Sequence, residues 1–339
     1  MQKTDVVIIG AGPVGLFTIF ECGMLKLTMH VFDALDVVGG QCATLYPEKP
    51  IYDIPACPVL LGQELVDNLK KQAEPFQPTY HMTQKVTHIE PLEDSEGHLW
   101  KITSNKGMVI HTKALIIAAG VGAFGPNRPP LNNIEEFEET SVHYFIPSKK
   151  RYTNKNVVIA GGGDSAVDWA IALSETAKSV TLIHRRSKFR AAPASLEKLE
   201  FLTAKNKIRL MAPYQLHGLS GKDGTLTSVS IQHFENASIE EIKADYLLPF
   251  FGLSMNLGPI TEWGLGLTNK HIDVEQGTAA TNKKGIYAVG DIATYPHKLK
   301  LILTGFAEAA QAAHAIRAQI YPDKIFHFEY STTTGMPSK

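Results

Sequence analysis

The chain has 339 residues, 44% of them hydrophobic and 20% charged, with 33 basic against 34 acidic residues and a formal net charge of −1. That length predicts about two domains, and the composition is that of a globular protein with apolar material for two cores. The charge balance lacks the cationic excess that non-specific nucleic-acid binding needs, and no apolar run approaches the roughly 18 residues of a membrane span. The N-terminal run Val6-Val7-Ile8-Ile9 is too short for a signal-peptide core and ends in glycine, so the chain reads as cytoplasmic. Cys22, Cys42 and Cys57 form no Cys-x-x-Cys and cannot all pair within one chain. They read as three reduced thiols in a reducing compartment.

In chain order, Val6–Ile9 is a short apolar run before glycine, the pattern of a buried parallel strand. A helix is predicted from Pro13 to about Lys26, and a second strand over Thr28–Phe32 ends at Asp33. Ala114–Ala119 is a further strand, running into a small-residue turn at Gly120. The opening order then recurs: a strand over Asn156–Ala160, a helix from Asp164 to about Ala177, and a strand over Ser179–Ile183 ending at His184. Strand signals follow at Asp245–Gly252 and Gly285–Asp291, then an alanine-rich helix from about Thr304 to Ala318. The parse is nested. Residues 1–121 and 253–324 form one domain, and residues 122–252 form a second domain inserted into it. A two-stranded hinge is expected at the crossings near Gly120–Gly125 and Phe250–Ser254, and residues 325–339 form a polar C-terminal extension. The fold class expected is α/β, with two Rossmann-like three-layer domains.

Each repeat of this order carries a glycine-rich turn between strand and helix. The first is Gly10-Ala11-Gly12-Pro13-Val14-Gly15. In such a turn the first glycine permits the bend, the second lets a pyrophosphate approach the backbone, and the third lets the helix pack on the strand. Amides at the helix N-terminus then bind the negative charge. The second is Gly161-Gly162-Gly163-Asp164-Ser165-Ala166, with alanine at the last position. The downstream charges differ. Asp33 suits a free ribose 2′-hydroxyl, whereas His184-Arg185-Arg186, with Arg190 beyond, suits a ribose 2′-phosphate. The bland reading of that basic run is a solvated loop. Its place at a strand end, where Asp33 stands in the first repeat, favours NADPH over NADH. The 13 histidines show no metal-like clustering and Gly-x-Ser-x-Gly is absent, so neither a metal centre nor a serine nucleophile is expected.

These loops resemble those of the two-dinucleotide flavoprotein reductases, with FAD in the first domain and NADPH in the second. Gly290-Asp291 and Gly39-Gly40-Gln41 also match that group. The dithiols of its disulfide reductases are missing. Ser141–Pro147, upstream of the second glycine loop, has no cysteine, and Cys42 is followed by Pro47 where a Cys-x4-Cys would need its partner. Without a thiol relay, electrons leave the flavin directly. The chain thus resembles the thioredoxin-reductase-like ferredoxin–NADP⁺ reductases, which it matches at Leu45–Lys49, Ile51-Tyr52-Asp53, His143-Tyr144-Phe145, Gly161–Trp169 and His184-Arg185-Arg186.

That resemblance implies hydride transfer from NADPH to FAD, then single electrons to ferredoxin or flavodoxin, in a homodimer. It places Gly10, Gly12, Pro13, Gly15, Asp33, Gln41, Tyr46, Val86, Phe124, Asp291 and Thr332 at FAD, and Gly161, Gly163, Asp164, Ser165, His184, Arg185, Arg186 and Arg190 at NADPH. It stacks Tyr52 on one flavin face, against the bland reading of a core tyrosine, and Tyr330 of the extension on the other. An acidic acceptor calls for a basic patch, for which Lys149-Lys150-Arg151, Lys155, Lys283-Lys284, and Lys298 with Lys300 are candidates beside the reading of ordinary solvated lysines. Two other readings share the motifs: a relative with a quinone, oxygen or small disulfide as acceptor, and a non-catalytic redox-sensing flavoprotein.

Overall fold

The computed structural model describes residues 2–92, 94–138, 140–323 and Gly335. Tyr330 and Thr332 lie outside the described residues. The chain divides into two compact units, one of residues 1–124 with 255–339 and one of residues 125–254.

In the first unit, β1 (Gln2–Ile9) leads into α1 (Pro13–Met24) and β2 (Met29–Phe32). The short helix α2 (Gly40–Thr44) and the helix α3 (Gly62–Ala73) precede β3 (Thr79–His81). An antiparallel arm follows, β4 (Val86–Pro91) and β5 (Trp100–Ser104), and returns into β6 (Val109–Ile117). The strands β3, β2, β1 and β6 lie side by side, all parallel. Both faces of the second half of β1 are covered, which is why Val6–Ile9 reads as an unbroken apolar run. Val6 and Ile8 pack with Leu16 and Ile19 of α1, whereas Val7 joins Phe32, Ile102 and Ile117 on the other face.

The second unit repeats the pattern in β7 (Asn156–Ala160), α4 (Asp164–Leu173) and β8 (Ser179–Ile183). After α5 (Pro193–Ala204) and β9 (Arg209–Met211) comes an antiparallel sheet of β10 (Tyr214–Lys222), β11 (Thr225–His233) and β12 (Ile239–Lys243). Then β13 (Tyr246–Pro249) completes a parallel sheet in the order β9-β8-β7-β13. Val229 and Ile231 of β11 pack with Val158, Ala160 and Leu247 of that sheet. The strands at the two crossings, Ala123–Pro126 and Leu253–Asn256, pair with each other.

Back in the first unit, β14 (Ile286–Ala288) pairs in parallel with Leu115–Ile117 of β6, and α6 (Ile302–Ile320) closes over α1. The edge of β6 facing away from β1 is therefore shared. Its first half holds β5 and its second half holds β14. The alanine-rich helix runs two residues past each predicted end, and the helix of the second repeat stops at Leu173, short of Ala177.

Candidate dinucleotide sites

A cavity of about 330 Å3 opens in the first unit at the carboxyl ends of its parallel strands. Ile9 ends β1 and Gly10 follows it, Asp33 follows β2, Ala118–Gly120 follow β6, and Val289–Asp291 follow β14. Ligands of open α/β sheets bind at this end, where neighbouring connections diverge.

The glycine loop floors the cavity, and its three glycines meet different demands. Gly10 has φ +107, and a Cβ there would strike the Ala118 carbonyl. A Cβ on Gly15 would overlap the Gly10 carbonyl, so the first turn of α1 rests directly on the loop. At Gly12 a Cβ would meet nothing nearer than the Gly40 Cα at 3.9 Å, and would stand in open space on the cavity wall. Pro13 starts α1 and has no amide hydrogen to lose, and no side chain caps the helix. The free amides of its first turn are left for an anion in the cradle beside Gly12. These features fit a pyrophosphate.

Asp33 ties the loop to β2. Its Oδ2 accepts from the Ala11 amide at 2.6 Å and its Oδ1 from the Leu35 amide at 2.9 Å. Burial pushes its carboxyl above the usual range, against the pull of those amides. Each oxygen keeps acceptor capacity for a further hydroxyl. Gln41, Cys42, Tyr46 and Val86 also line the cavity. The Cys42 thiol donates toward the Tyr46 hydroxyl at 3.7 Å, and burial pushes that thiol up to about 11 and the Tyr46 phenol higher still. Both are neutral near pH 7. Cys22, Cys42 and Cys57 are all free thiols, so the cavity wall carries no dithiol.

In the second unit, α4 starts at Asp164 directly after the three glycines of the second loop, again without a side-chain cap. A Cβ on Gly161 would come within 2.8 Å of the Ala166 Cβ, the close approach that a small sixth residue allows. A Cβ on Gly162 would overlap the His184 ring, so the end of β8 lies against the loop. The Arg190 amide donates to the Gly162 carbonyl at 2.7 Å, and Asp164 Oδ1 accepts from the Ala192 amide at 2.8 Å. These bonds hold the basic segment beside the amides of the helix start. Burial, with Arg185, Arg186 and Arg190 nearby, lowers the His184 pKa, which leaves a neutral ring among three exposed guanidinium groups. No ion pair to those arginines occurs among the described residues. Ser165 lies in the first turn of α4, and Gly163 is its N-terminal cap.

Other expected residues fall differently. Tyr52 does not line the cavity, and at 71% exposure it is no core tyrosine. Phe124 lies on the crossing strand Ala123–Pro126. Lys298, expected in a solvent-facing basic patch, is instead buried in an ion pair with Glu308 at 2.6 Å. Glu308 went unnoticed in the sequence, although it breaks a buried small-residue stripe of Gly305, Ala309 and Ala312 on α6. Lys85, Leu257, Ile260 and Trp263 of the cavity wall were missed as well, because they come from segments far apart in sequence.

Residues 4–316 match the family model described as pyridine nucleotide-disulphide oxidoreductase. The chain belongs to this family. Among curated relatives, the protein named ferredoxin–NADP reductase from Rhodospirillum rubrum is 54% identical over 335 residues, covering 99% of this chain and 97% of its own. The protein of the same name from Rickettsia akari is 54% identical over 333 residues and covers 98% of each chain. Among solved structures, Lactococcus lactis thioredoxin reductase is 25% identical with a TM-score of 0.79, covering 94% of this chain and 99% of its own. The thioredoxin reductase of T. acidophilum, 21% identical with a TM-score of 0.81 and coverage of 94% and 99%, shares the fold. The fold class is thus the two-domain α/β dinucleotide-binding architecture of this oxidoreductase family.

Proposed function

We propose that this chain is a ferredoxin–NADP⁺ reductase, an oxidoreductase that uses FAD and NADPH. The observation that carries this reading is its 52–54% identity, over 98–100% of the chain, to proteins of that name. FAD, when bound, supplies the chemistry: it accepts a hydride from NADPH and passes on the two electrons singly. The chain binds and orients. The cradle at Gly12 and the free amides of α1 hold the FAD pyrophosphate, Asp33 accepts from the adenosine ribose, and Gln41, Tyr46, Val86, Phe124, Asp291 and Thr332 line the remainder. The glycine loop of the second unit, with Gly163, Asp164 and Ser165 at the start of α4, holds the NADPH pyrophosphate. Arg185, Arg186 and Arg190 hold its 2′-phosphate beside the neutral His184. On this reading the first unit is the FAD domain, the second the NADPH domain, and residues 325–339 the flavin cover. Tyr52, exposed and without core to pack on, stacks on one flavin face and Tyr330 covers the other.

The neutral, unpaired Cys42 on the cavity wall supports direct exit of electrons from the flavin to the acceptor. Ferredoxin is the acceptor proposed, with flavodoxin an alternative of similar acidity. The active form proposed is a cytoplasmic homodimer. Among the described residues no helix is long and apolar enough to cross a membrane. The deciding experiment is NADPH-driven cytochrome c reduction with and without ferredoxin. Turnover that requires ferredoxin is the expected result. Rapid flavin bleaching by NADPH with no ferredoxin-dependent turnover would point to another acceptor, and no bleaching at all to a sensor.

A further inference from the structure

Behind the cavity wall at Gly290–Asp291 lies a buried cluster that the proposed chemistry does not use. The Lys298 and Glu308 side chains are 4% and 3% exposed. Lys298 Nζ donates to Glu308 Oε2 at 2.8 Å and to the Gly290 carbonyl at 2.7 Å, and lies 2.6 Å from Glu308 Oε1 in the ion pair. Glu308 also accepts from the Gly290 amide at 2.7 Å and from the Tyr295 hydroxyl at 2.9 Å. Two successive peptide groups are thus gripped, the one before Gly290 by the carboxylate and the one joining it to Asp291 by the ammonium. Gly290 itself has φ +75 and is wedged in place. A Cβ there would stand 3.3 Å from Val14 of α1, and one on Gly305 of α6 would lie 3.2 Å from the Gly290 Cα. Val14, Gly290, Asp291 and Ile302 all line the cavity, so the ion pair sits one peptide behind its surface.

A buried pair of this kind is a poor device for stability alone. Desolvation of both ions offsets most of their attraction, and an apolar pair of similar volume often does as well. Its use here lies in where its atoms point. We infer that Lys298 and Glu308 are positioning residues. They set Asp291 against the flavin and, by cancelling each other's charge behind the cavity wall, hold the flavin's reduction potential. The inference rests on the reading that this cavity takes FAD.

Removing one partner leaves the other as an uncompensated buried charge, and a reduced flavin carries more negative charge than an oxidised one. Glu308→Gln leaves a cation behind the wall and raises the midpoint potential of bound FAD. Lys298→Met leaves an anion and lowers it. The double variant returns close to the wild-type potential. These potentials, measured by spectroelectrochemistry on the full-length holoprotein, separate charge from structure, because a merely structural role moves both single variants in the same direction or neither. Shifts of the same sign, or none with FAD still bound, would overturn the inference. Should the single variants lose FAD, Tyr295→Phe removes only one donor to Glu308 and is expected to lower the potential by a smaller amount. An unchanged potential there would also overturn it. A wild-type chain that takes up no FAD would defeat both this inference and the proposed function, whereas normal FAD uptake with unmoved potentials defeats the clamp alone.

Discussion

Gly10, Gly12 and Gly15 share one motif but answer to different neighbours, so substitution separates them. Gly15→Ala drives a methyl into the Gly10 carbonyl and is expected to cost the apoprotein about 1–3 kcal/mol, read as a lower melting temperature. Gly12→Val points its side chain into open space. It leaves the apoprotein melt unchanged but weakens FAD binding at least roughly ten-fold in reconstitution titrations, through lost charge-assisted hydrogen bonds. In the second unit, Arg185→Ala and Arg186→Ala are each expected to raise the KM for NADPH roughly 10- to 100-fold with kcat little changed, while the KM for NADH stays put. An equal rise for both nucleotides would place these guanidiniums away from the 2′-phosphate. Residues of this kind were legible because their demands are local: a glycine between strand and helix, a charge at the next strand's end. Lys298 was not. A lysine in a Pro-His-Lys loop reads as solvated, and only the fold brings Glu308 and the Gly290 carbonyl to it.

Among the elements, the βαβ units were readable because their strands are covered on both faces and their helices start at glycine. The antiparallel pieces were not. Strands β10 and β12 have only one fully buried position each and β11 alternates for only part of its length, so none carries a sustained period-two pattern. The edge formed by β2 and β3 carries its own pH dependence. His30 Nδ1 and His81 Nε2 are 2.8 Å apart, the rings stack, and Phe32 lies against His81. Burial lowers both pKa values, and for His30 the neighbouring His81 adds to the effect. In the unfolded chain both titrate near 6.5. As pH falls through that value the unfolded state takes up protons that the native state refuses, so stability drops toward acid and levels off above about pH 7. Denaturant melts between about pH 5 and 8 are expected to show this slope. The slope should flatten in the double variant His30→Gln/His81→Gln, and an equal slope there would place the titration elsewhere.

For the whole molecule, a net charge of −1 means that docking of an acidic acceptor relies on local patches and not on the overall field. Lys298 is withdrawn from that role by its burial. The Lys300 ammonium lies 2.7 Å from the His271 ring, and Lys283 sits over the Trp100 ring at 5.9 Å. Ferredoxin-dependent turnover is expected to fall as ionic strength rises past about 0.1 M, as screening shortens the range of attraction. Flat rates across the salt series would remove the electrostatic docking idea. Deleting residues 325–339 is expected to change the rate of flavin reduction by NADPH in stopped flow, and unchanged rates would argue against a cover in that segment. The shared edge of β6 also fixes an order of events at the ribosome. Half of that edge can pair at once, with β5 beside it, while Leu115–Ile117 must wait for β14. At ordinary rates of synthesis the wait is on the order of ten seconds, while the whole of residues 125–254 emerges and folds. The cavity gains its last walls, Val289–Asp291 and then Ile302, only after that. Capture of the yellow cofactor therefore marks a finished chain, and a nascent polypeptide stalled before residue 286 stays colourless, with an open strand edge for chaperones to cover.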